Sequence, residues 1–403
     1  MSATAQRAPN APLFVSSDDA VPAGPRRATP RMREFLAAQD FERPTLALDL
    51  DGVEAAYRAL AAGLGEAEIH YAVKANPHEA ILARLARLGC GFDAASRAEI
   101  GDALATGVGP DRISFGNTVK RPADIAVARD AGIDLYAVDA EEEIAKIARI
   151  HPGARVFVRV LVEEETGAEW PLSRKFGVPE GEVGRLLALA RAAGLVPAGL
   201  SFHVGSQTPE AAMWTPVLDR VARLWAEGRA AGHPLRLLNI GGGFPATYNT
   251  PVQEARAYGR ELAAMIRARF GGDVRVMAEP GRGLVADAGV IAAEVLLVAR
   301  KRPTDLARWV YLDIGKFSGL AETIGEAIRY PLETSADGGE TGPCILAGPS
   351  CDSEDVLYER RPVALPLALR GGDRVWIHGA GAYTSTYASV GFNGFPPLDV
   401  VCF

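Results

Sequence analysis

The strongest constraint on the fold is a regular alternation of short β-rich runs with segments of helical period. After a first run at Thr45–Leu48, β-rich runs lie at 69–73, 90–93, 112–115, 133–138, 155–161, 199–204, 235–240 and 274–278. An open doubly wound sheet would offer fewer units and an early GxGxxG motif, which is absent from the sequence. Eight strand–helix repeats therefore predict a (β/α)8 barrel.

The last third of the chain has a different pattern. After Gly289 the helical period fades, and β-rich runs continue at 291–298, 309–314, 344–346, 363–367 and 374–378, separated by Gly, Pro and Asp turns. This pattern predicts a second, all-β domain at 286–403, after a barrel at 35–285. Residues 1–34 are rich in Ala, Pro, Ser and Arg without any period, and we expect a disordered leader there. The run at Thr45–Leu48 precedes the barrel series, so we expect it to join the β domain.

Charge and cysteine content exclude several classes of function. No run of about 20 apolar residues is present, so no membrane partner is expected. With 43 basic and 50 acidic residues the net charge is −7, which argues against a nucleic-acid partner. Cys90, Cys344, Cys351 and Cys402 lack CxxC spacing, which disfavours both a zinc module and a disulfide framework. We expect a cytoplasmic enzyme.

Polar residues end nearly every predicted barrel strand on the same side, where (β/α)8 enzymes carry their active sites. These positions include Lys74, Asp93, Arg159, His203, Ser206, the glycines 241–243, Glu279 and Arg282. A single polar strand end carries little meaning, but their coincidence predicts a site.

Two of these features have competing interpretations. Lys74 follows an apolar strand; desolvation would lower its pKa and suit it to Schiff-base formation, whereas an ordinary strand-end lysine would reach to water. The glycines 241–243 either form a flexible turn or let backbone N–H groups approach an anion, and the loop after the seventh barrel strand is a recurrent phosphate site.

The eighth strand end adds a carboxylate and a guanidinium. Arg282 is placed to hold a phosphate, and Glu279 can keep a ring nitrogen protonated, although the two could also form a structural ion pair. His203 could stack on a flat ring or be a core histidine. A metal-dependent barrel hydrolase would need a His-rich ligand cluster such as an HxH near the first strand, and none occurs in the sequence. Lysine, phosphate cradle and ring-nitrogen carboxylate together predict pyridoxal 5′-phosphate (PLP).

Seven ordered motifs between about residue 44 and the C-terminus resemble the fold-type III PLP decarboxylases, the ornithine/lysine/diaminopimelate/arginine decarboxylase group. The motifs are YAVKAN at 71–76, FHVGS at 202–206, GGGFP at 241–245, EPGR at 279–282, GPSCD at 348–352, GAYT at 381–384 and FNGF at 392–395. The phrases RISFGN at 112–117 and WPLSRKFG at 170–177 are most similar to bacterial ornithine decarboxylases.

The resemblance implies a role for each matching residue. Lys74 carries PLP, His203 stacks on its ring, Glu279 holds the ring nitrogen and Cys351 returns a proton to Cα. The cofactor site also includes Asp93, Arg159, Ser206, Gly242, Gly243, Gly281, Arg282 and Tyr383. The implied substrate contacts are Asp352, Tyr330 and Tyr383. Because Cys351 and Asp352 come from a partner subunit in this family, the resemblance implies a homodimer with shared active sites.

The implied substrate is a basic amino acid. Asp352 suits one cationic tip, so we expect L-ornithine decarboxylation to putrescine, with L-lysine to cadaverine as a further reaction. The segment at 322–331 lacks the Asp that eukaryotic ornithine decarboxylases place there, so Tyr330, Glu322 or a water substitutes. Diaminopimelate or another basic amino acid is the alternative, and so is a non-catalytic regulatory homologue, although Lys74 and Cys351 are both present.

Overall fold

A computed structural model describes residues 21–22, 28–162 and 175–403. Most of the predicted leader and residues 170–174 of the WPLSRKFG motif lie outside the described residues. Within them, no helix is long and apolar enough to cross a membrane.

The chain divides into two compact units. The barrel unit is Asp49–Ala288 with Cys402, and the β unit contains the described residues up to Leu48, Gly289–Val401 and Phe403. The run Thr45–Leu48, which we expected to join the β domain, lies in the β unit and pairs antiparallel with the strand that begins at Gly289.

The barrel unit confirms the predicted (β/α)8 architecture. Its parallel strands are β3 (Glu68–Ala72), β4 (Gly91–Ala94), β5 (Ile113–Phe115), β6 (Leu135–Val138), β7 (Arg155–Arg159), β8 (Val196–Ser201), β9 (Leu237–Asn239) and β10 (Arg275–Ala278). They form a closed barrel in which β10 pairs with β3. Parallel strands end at the same side of the sheet, so the side chains that follow them gather at one rim.

Amphipathic helices connect the strands. They are α2 (Leu50–Leu64), α3 (Glu79–Arg87), α4 (Arg97–Ala105), α5 (Pro122–Asp130), α6 (Glu141–Ile150), α7 (Glu180–Ala192), α8 (Thr215–Ala230), α9 (Ala255–Phe270) and the short α10 (Arg282–Val285). Helix α4 shows how the sequence sets their starts: the Ser96 hydroxyl accepts from the Glu99 N–H, and the Glu99 carboxylate accepts from the Ala95 N–H. This reciprocal cap satisfies two N–H groups that the helix itself leaves unpaired.

Apolar side chains fill the lower part of the barrel. Leu135, Phe157, Leu237 and Met277 belong to one buried cluster contributed by four strands. At Gly199 the strands approach so closely that a Cβ would lie 1.8 Å from the Leu237 carbonyl oxygen. A packed interior of this kind supports the rim.

One buried cation in the barrel wall makes stability depend on pH. Lys120 Nζ donates to the Ala137 carbonyl (2.7 Å) and to Glu143 Oε1 (3.1 Å), and burial lowers the pKa of Lys120 from 10.5 to about 8. Between these values the unfolded chain binds more protons than the folded one, so this group's contribution to the free energy of unfolding rises with pH. We expect urea titrations from pH 7 to 10 to show this dependence. Above pH 8, the free energy of unfolding of wild type should increase relative to that of Lys120→Met by up to about 1.4 kcal/mol per pH unit. The exposed Lys301→Met is the control, and a difference that does not change with pH would contradict the assignment.

The β unit is built on a nine-stranded sheet. Its strands are β1 (Val21–Pro22), β2 (Thr45–Leu48), β11 (Gly289–Ala299), β12 (Arg308–Leu312), β13 (Leu332–Thr334), β14 (Thr341–Ala347), β15 (Val356–Pro366), β16 (Arg374–His378) and β17 (Asp399–Cys402). The order β1-β15-β14-β12-β11-β16-β13 forms the main path, and β2 pairs with both β11 and β17. Strands β1, β13 and β17 are absent from the sequence prediction.

The predicted leader is wrong where the structure describes it. Helix α1 (Pro30–Ala37) begins inside it, and the Thr29 hydroxyl caps the helix by accepting from the Met32 N–H. Met32 and Leu36 are buried in a cluster with Ala47 and Val290, so the helix covers one face of the β unit. Strand β1 pairs with Val363 and Ala364 of β15. Tertiary packing orders these short elements, which have too few residues to show a period.

Candidate active site

Lys74 lies in a tight turn at the barrel rim. The turn is a single 3-10 segment, Val73–Ala75, directly after β3. Asn76 stabilises the turn through two hydrogen bonds. The Asn76 carbonyl accepts from the Tyr71 hydroxyl (3.0 Å), and the Asn76 side-chain oxygen accepts from the His78 N–H (3.1 Å). Val73 and Ala75 are buried, whereas Lys74 is exposed. Of the two interpretations of Lys74, its exposure favours the one in which the side chain reaches to water, and the lysine amine is accessible to a ligand.

Two acids and two cations interact electrostatically at this rim. Burial raises the pKa of Asp93, which the charges of Lys74 and Arg159 and a hydrogen bond from the Ser114 hydroxyl (3.3 Å) oppose. Burial and then the neighbouring Asp93 charge raise the pKa of Glu279, and Lys74 and Arg159 again oppose the shift. Side chains on or directly after β3, β4, β7 and β10 thus interact electrostatically in one cluster.

His203 presents an uncharged ring. Burial, followed by the charges of Arg159 and Lys74, holds the pKa of His203 well below its ordinary value. Its Nδ1 accepts a hydrogen bond from the Gly205 N–H (3.0 Å), so the proton of the neutral imidazole is on Nε2. A flat, neutral ring of this kind can lie against another flat ring without charge repulsion.

The glycines after β9 leave no room for side chains. Gly243 has φ +109°, and a Cβ there would lie 2.6 Å from the Gly205 carbonyl oxygen. A Cβ on Gly242 would lie 2.9 Å from the Glu279 carbonyl oxygen and 3.2 Å from His203 Nε2. Glycine is therefore required at both positions, and a ligand can approach the backbone closely.

Arg282 connects the loops that follow β8, β9 and β10. Its Nε donates to the Ser206 hydroxyl (3.3 Å), and its Nη1 donates to the Tyr248 hydroxyl (2.7 Å). Arg282 is only 4% exposed. Hydroxyl groups on two loops therefore orient the guanidinium, a group whose geometry suits a phosphate.

Three residues that support the site were not predicted from the sequence. Asn239 bonds to Glu279, Ser114 bonds to Asp93 and Tyr248 bonds to Arg282. Asn239 could have been identified as a site residue from the sequence, because it is a polar residue at the end of the apolar strand β9. Nothing in the sequence marks Tyr248, since its contact with Arg282 depends on how two loops fold.

The remaining predicted residues belong to the β unit. Cys351 is exposed, and Asn393 Oδ1 accepts from its N–H (3.1 Å). Asp352 is also exposed, and its carboxylate accepts from the Glu354 N–H (2.8 Å). Tyr383 has a left-handed backbone with φ +57°. Tyr330 is only 3% exposed, and its N–H donates to the Tyr358 hydroxyl (2.9 Å).

The barrel rim fits PLP in its charge and shape. Glycines that exclude any Cβ and a buried guanidinium suit a phosphate, while an accessible amine suits an aldehyde. The half-buried Glu279 carboxylate suits a protonated ring nitrogen.

Comparison with known proteins agrees with this fit. The family described as "Pyridoxal-dependent decarboxylase, pyridoxal binding domain" matches residues 50–286. The lysine/ornithine decarboxylase of Selenomonas ruminantium is 35% identical over 372 residues, which cover 91% of each chain.

Solved structures give the same result. The structure of SrLDC in complex with PLP and cadaverine has a TM-score of 0.83 at 33% identity and covers 94% of each chain. The lysine/ornithine decarboxylase of Vibrio vulnificus complexed with putrescine has a TM-score of 0.81 at 31% identity, covering 93% of this chain and 99% of that one. With barrel, rim and relatives in agreement, the chain belongs to the fold-type III pyridoxal-dependent decarboxylases and is a PLP-dependent amino-acid decarboxylase that acts on basic amino acids.

Proposed function

We propose that the protein converts L-ornithine to putrescine and CO2 in polyamine biosynthesis, and L-lysine to cadaverine as a second reaction. The observation that carries the proposal is the exposed Asp352 carboxylate beside the exposed Cys351 thiol. A single carboxylate suits the single ammonium tip of ornithine or lysine, whereas a zwitterionic tip also needs a cation. The lysine/ornithine activity in the names of two relatives supports this choice.

Both substrates fit the proposal because they differ by one methylene. A methylene is worth only about 1–3 kcal/mol of discrimination in a pocket. Asp352, Tyr330 and Tyr383 are the proposed substrate contacts. Tyr330 is only 3% exposed, which is similar to the exposure of Arg282 in the cofactor site.

The barrel residues hold the cofactor in this proposal. Lys74 would bind its aldehyde carbon, and the loops at Ser206, Gly242, Gly243, Gly281 and Arg282 would bind its phosphate together with Tyr383. The neutral His203 ring would stack on the cofactor ring, while Asp93 and Arg159 would line the site. When bound, PLP supplies an electron sink for the charge that remains after CO2 leaves.

The chain's own groups then control the protons. Glu279 would hold a proton on the cofactor ring nitrogen, since a carboxylate stabilises the adjacent positive charge. Cys351 donates the proton that replaces CO2 at Cα, which is general acid catalysis. The substrate thus loses CO2 and gains one proton, and the Cys351 thiolate regains its proton from solvent.

The active unit in this proposal is a homodimer in which the partner subunit supplies Cys351 and Asp352. Dimers of Lys74→Ala alone or of Cys351→Ala alone would keep about a hundredth of wild-type activity or less. After mixing and subunit exchange, random assortment should restore about a quarter of wild-type activity, because half of the dimers then contain one intact site of two. Absence of recovery despite proven exchange would show that each site uses residues of one chain. We also place the enzyme in the cytoplasm, since its four cysteines are free thiols.

A substrate panel tests the proposed function. We expect kcat/KM to be highest for L-ornithine, with L-lysine next and little turnover of L-arginine or meso-diaminopimelate. PLP content and product identity should be measured on the same preparation. Activity on diaminopimelate or arginine alone would overturn the substrate choice, and a purified protein that binds no PLP would favour a regulatory homologue.

Replacement of Cys351 by Ala tests the proton donor. We expect kcat to fall by about 10²-fold, because general acid catalysis contributes that much or more. Protonation at the wrong carbon should divert some turnovers to an aldehyde and pyridoxamine phosphate, which chromatography detects. Ser353→Ala, in the same exposed loop, is the matched control. Wild-type kinetics and products in Cys351→Ala would remove Cys351 from the proton-donor role.

A further inference from the structure

The side chain of Asn239 makes two hydrogen bonds, one with Gly241 and one with Glu279. Asn239 is the last residue of β9 and is 1% exposed. Its Oδ1 accepts from the Gly241 N–H (2.9 Å), and its Nδ2 donates to Glu279 Oε1 (2.5 Å). The Glu279 N–H in turn donates to the Gly241 carbonyl (2.8 Å). Asn239, Gly241 and Glu279 therefore form a closed ring of hydrogen bonds across β9 and β10.

The ring fixes which way the amide faces. A backbone N–H can only donate, so the Gly241 N–H requires the amide oxygen on its side. The NH2 group of Asn239 must then face Glu279, and rotation of the amide would break both hydrogen bonds. One oxygen of Glu279 is consequently occupied by a neutral donor, which leaves the other oxygen for a ligand.

The charges around Glu279 explain why a neutral donor matters there. Asp93 adds a second negative charge, Lys74 and Arg159 add two positive charges, and His203 is uncharged. An aspartate at position 239 would be isosteric but would bring a third acid against Glu279. Two carboxylates at such a distance must share a proton, which would remove charge from Glu279.

We propose that Asn239 is a positioning residue for PLP. Its amide donates to one carboxylate oxygen of Glu279 and fixes the orientation of the side chain. The other oxygen then faces the cofactor ring nitrogen, and the carboxylate keeps its charge. The inference rests on the proposed function, which assigns Glu279 to that nitrogen. The alternative is that Asn239 only holds the glycine loop through Gly241.

The two roles separate in Asn239→Asp. This variant keeps an oxygen for the Gly241 N–H but replaces the donor to Glu279. We would titrate the apoenzyme with PLP and with its 1-deaza analogue, in which carbon replaces the ring nitrogen, and compare the two Kd values. We expect PLP to bind about tenfold more weakly to Asn239→Asp while the Kd of the analogue stays at its wild-type value. A wild-type ratio of the two Kd values in this variant would overturn the inference.

Two further variants complete the experiment. Asn239→Ser can accept from the Gly241 N–H but is too short to reach Glu279 as well, so it should show the same loss if Asn239→Asp does not fold. In Glu279→Gln the preference for PLP over the analogue should fall by at least as much. A normal preference in Glu279→Gln would overturn the assignment of Glu279 and the inference together. If Glu279→Gln loses the preference for PLP over the analogue while both Asn239 variants keep the wild-type preference, only the inference about Asn239 is overturned.

Discussion

Replacement of Lys74 by Ala is expected to reduce decarboxylation by about 10³-fold or more, which corresponds to about 4 kcal/mol of lost transition-state stabilisation. Lys74 is the accessible amine of the rim, and its backbone is held by the braced turn at Val73–Ala75. An alanine there leaves the phosphate and ring contacts intact but removes the covalent attachment. The variant should therefore still bind PLP, but without a bond that borohydride can trap.

The measurement combines steady-state rates with peptide mass analysis after borohydride reduction. Wild type should carry the cofactor on the peptide that contains Lys74, and Lys74→Ala should carry none. Lys301→Ala is a suitable control, because Lys301 belongs to the β unit, where its amine lies over the rings of Trp309 and Tyr311. An active wild-type enzyme with an unmodified Lys74 peptide would refute the assignment of PLP to this residue.

Replacement of Glu279 by Gln is expected to lower kcat by about 10²–10³-fold, the usual loss when one preorganised electrostatic contact is removed. Glutamine keeps the size of the side chain and can still meet the Asn239 amide, but it carries no charge to hold a proton on the ring nitrogen. Because the main defect lies in stabilising the charge left by CO2, kcat should fall more than KM rises.

Glu279→Asp provides the control for charge, because it keeps a carboxylate on a shorter chain. It should retain more activity than Glu279→Gln, and both should match wild type in thermal unfolding of the apoenzyme to within a few degrees. Equal kcat values for wild type and Glu279→Gln would show that the ring nitrogen needs no carboxylate here.

The barrel was predictable because its strands are buried on both faces and its helices on one. Both patterns leave periodic signals in a single sequence, and they place strand ends such as Lys74 and Asp93 close to their observed positions. Helix α1 and strands β1, β13 and β17 gave no such signal. They are short, and their order comes from pairing with distant strands, as β17 pairs with β2.

The site was predictable where chemistry selects the residue type. A lysine, a glycine run and a carboxylate at successive strand ends indicate PLP without any coordinates. Asn239 and Tyr248 were not identified, because each acts on another side chain and any of several polar residues would look similar in sequence. The sequence left the exposure of Lys74 open, because the turn at Val73–Ala75 decides whether its side chain leaves the strand.

The pairing of β2 with β11 has a consequence for how this protein can be divided. Leu48 and Gly289 are register partners, and the next residues on either side, Asp49 and Ala288, are joined by a 3.0 Å hydrogen bond between the Asp49 N–H and the Ala288 carbonyl. The catalytic barrel is thus an insertion between two neighbouring strands of a host sheet. We therefore expect the β unit to be obtained by itself when the barrel is deleted and Leu48 and Gly289 are joined by a tight hairpin turn. Truncation from either terminus would instead remove strands of the β unit's sheet.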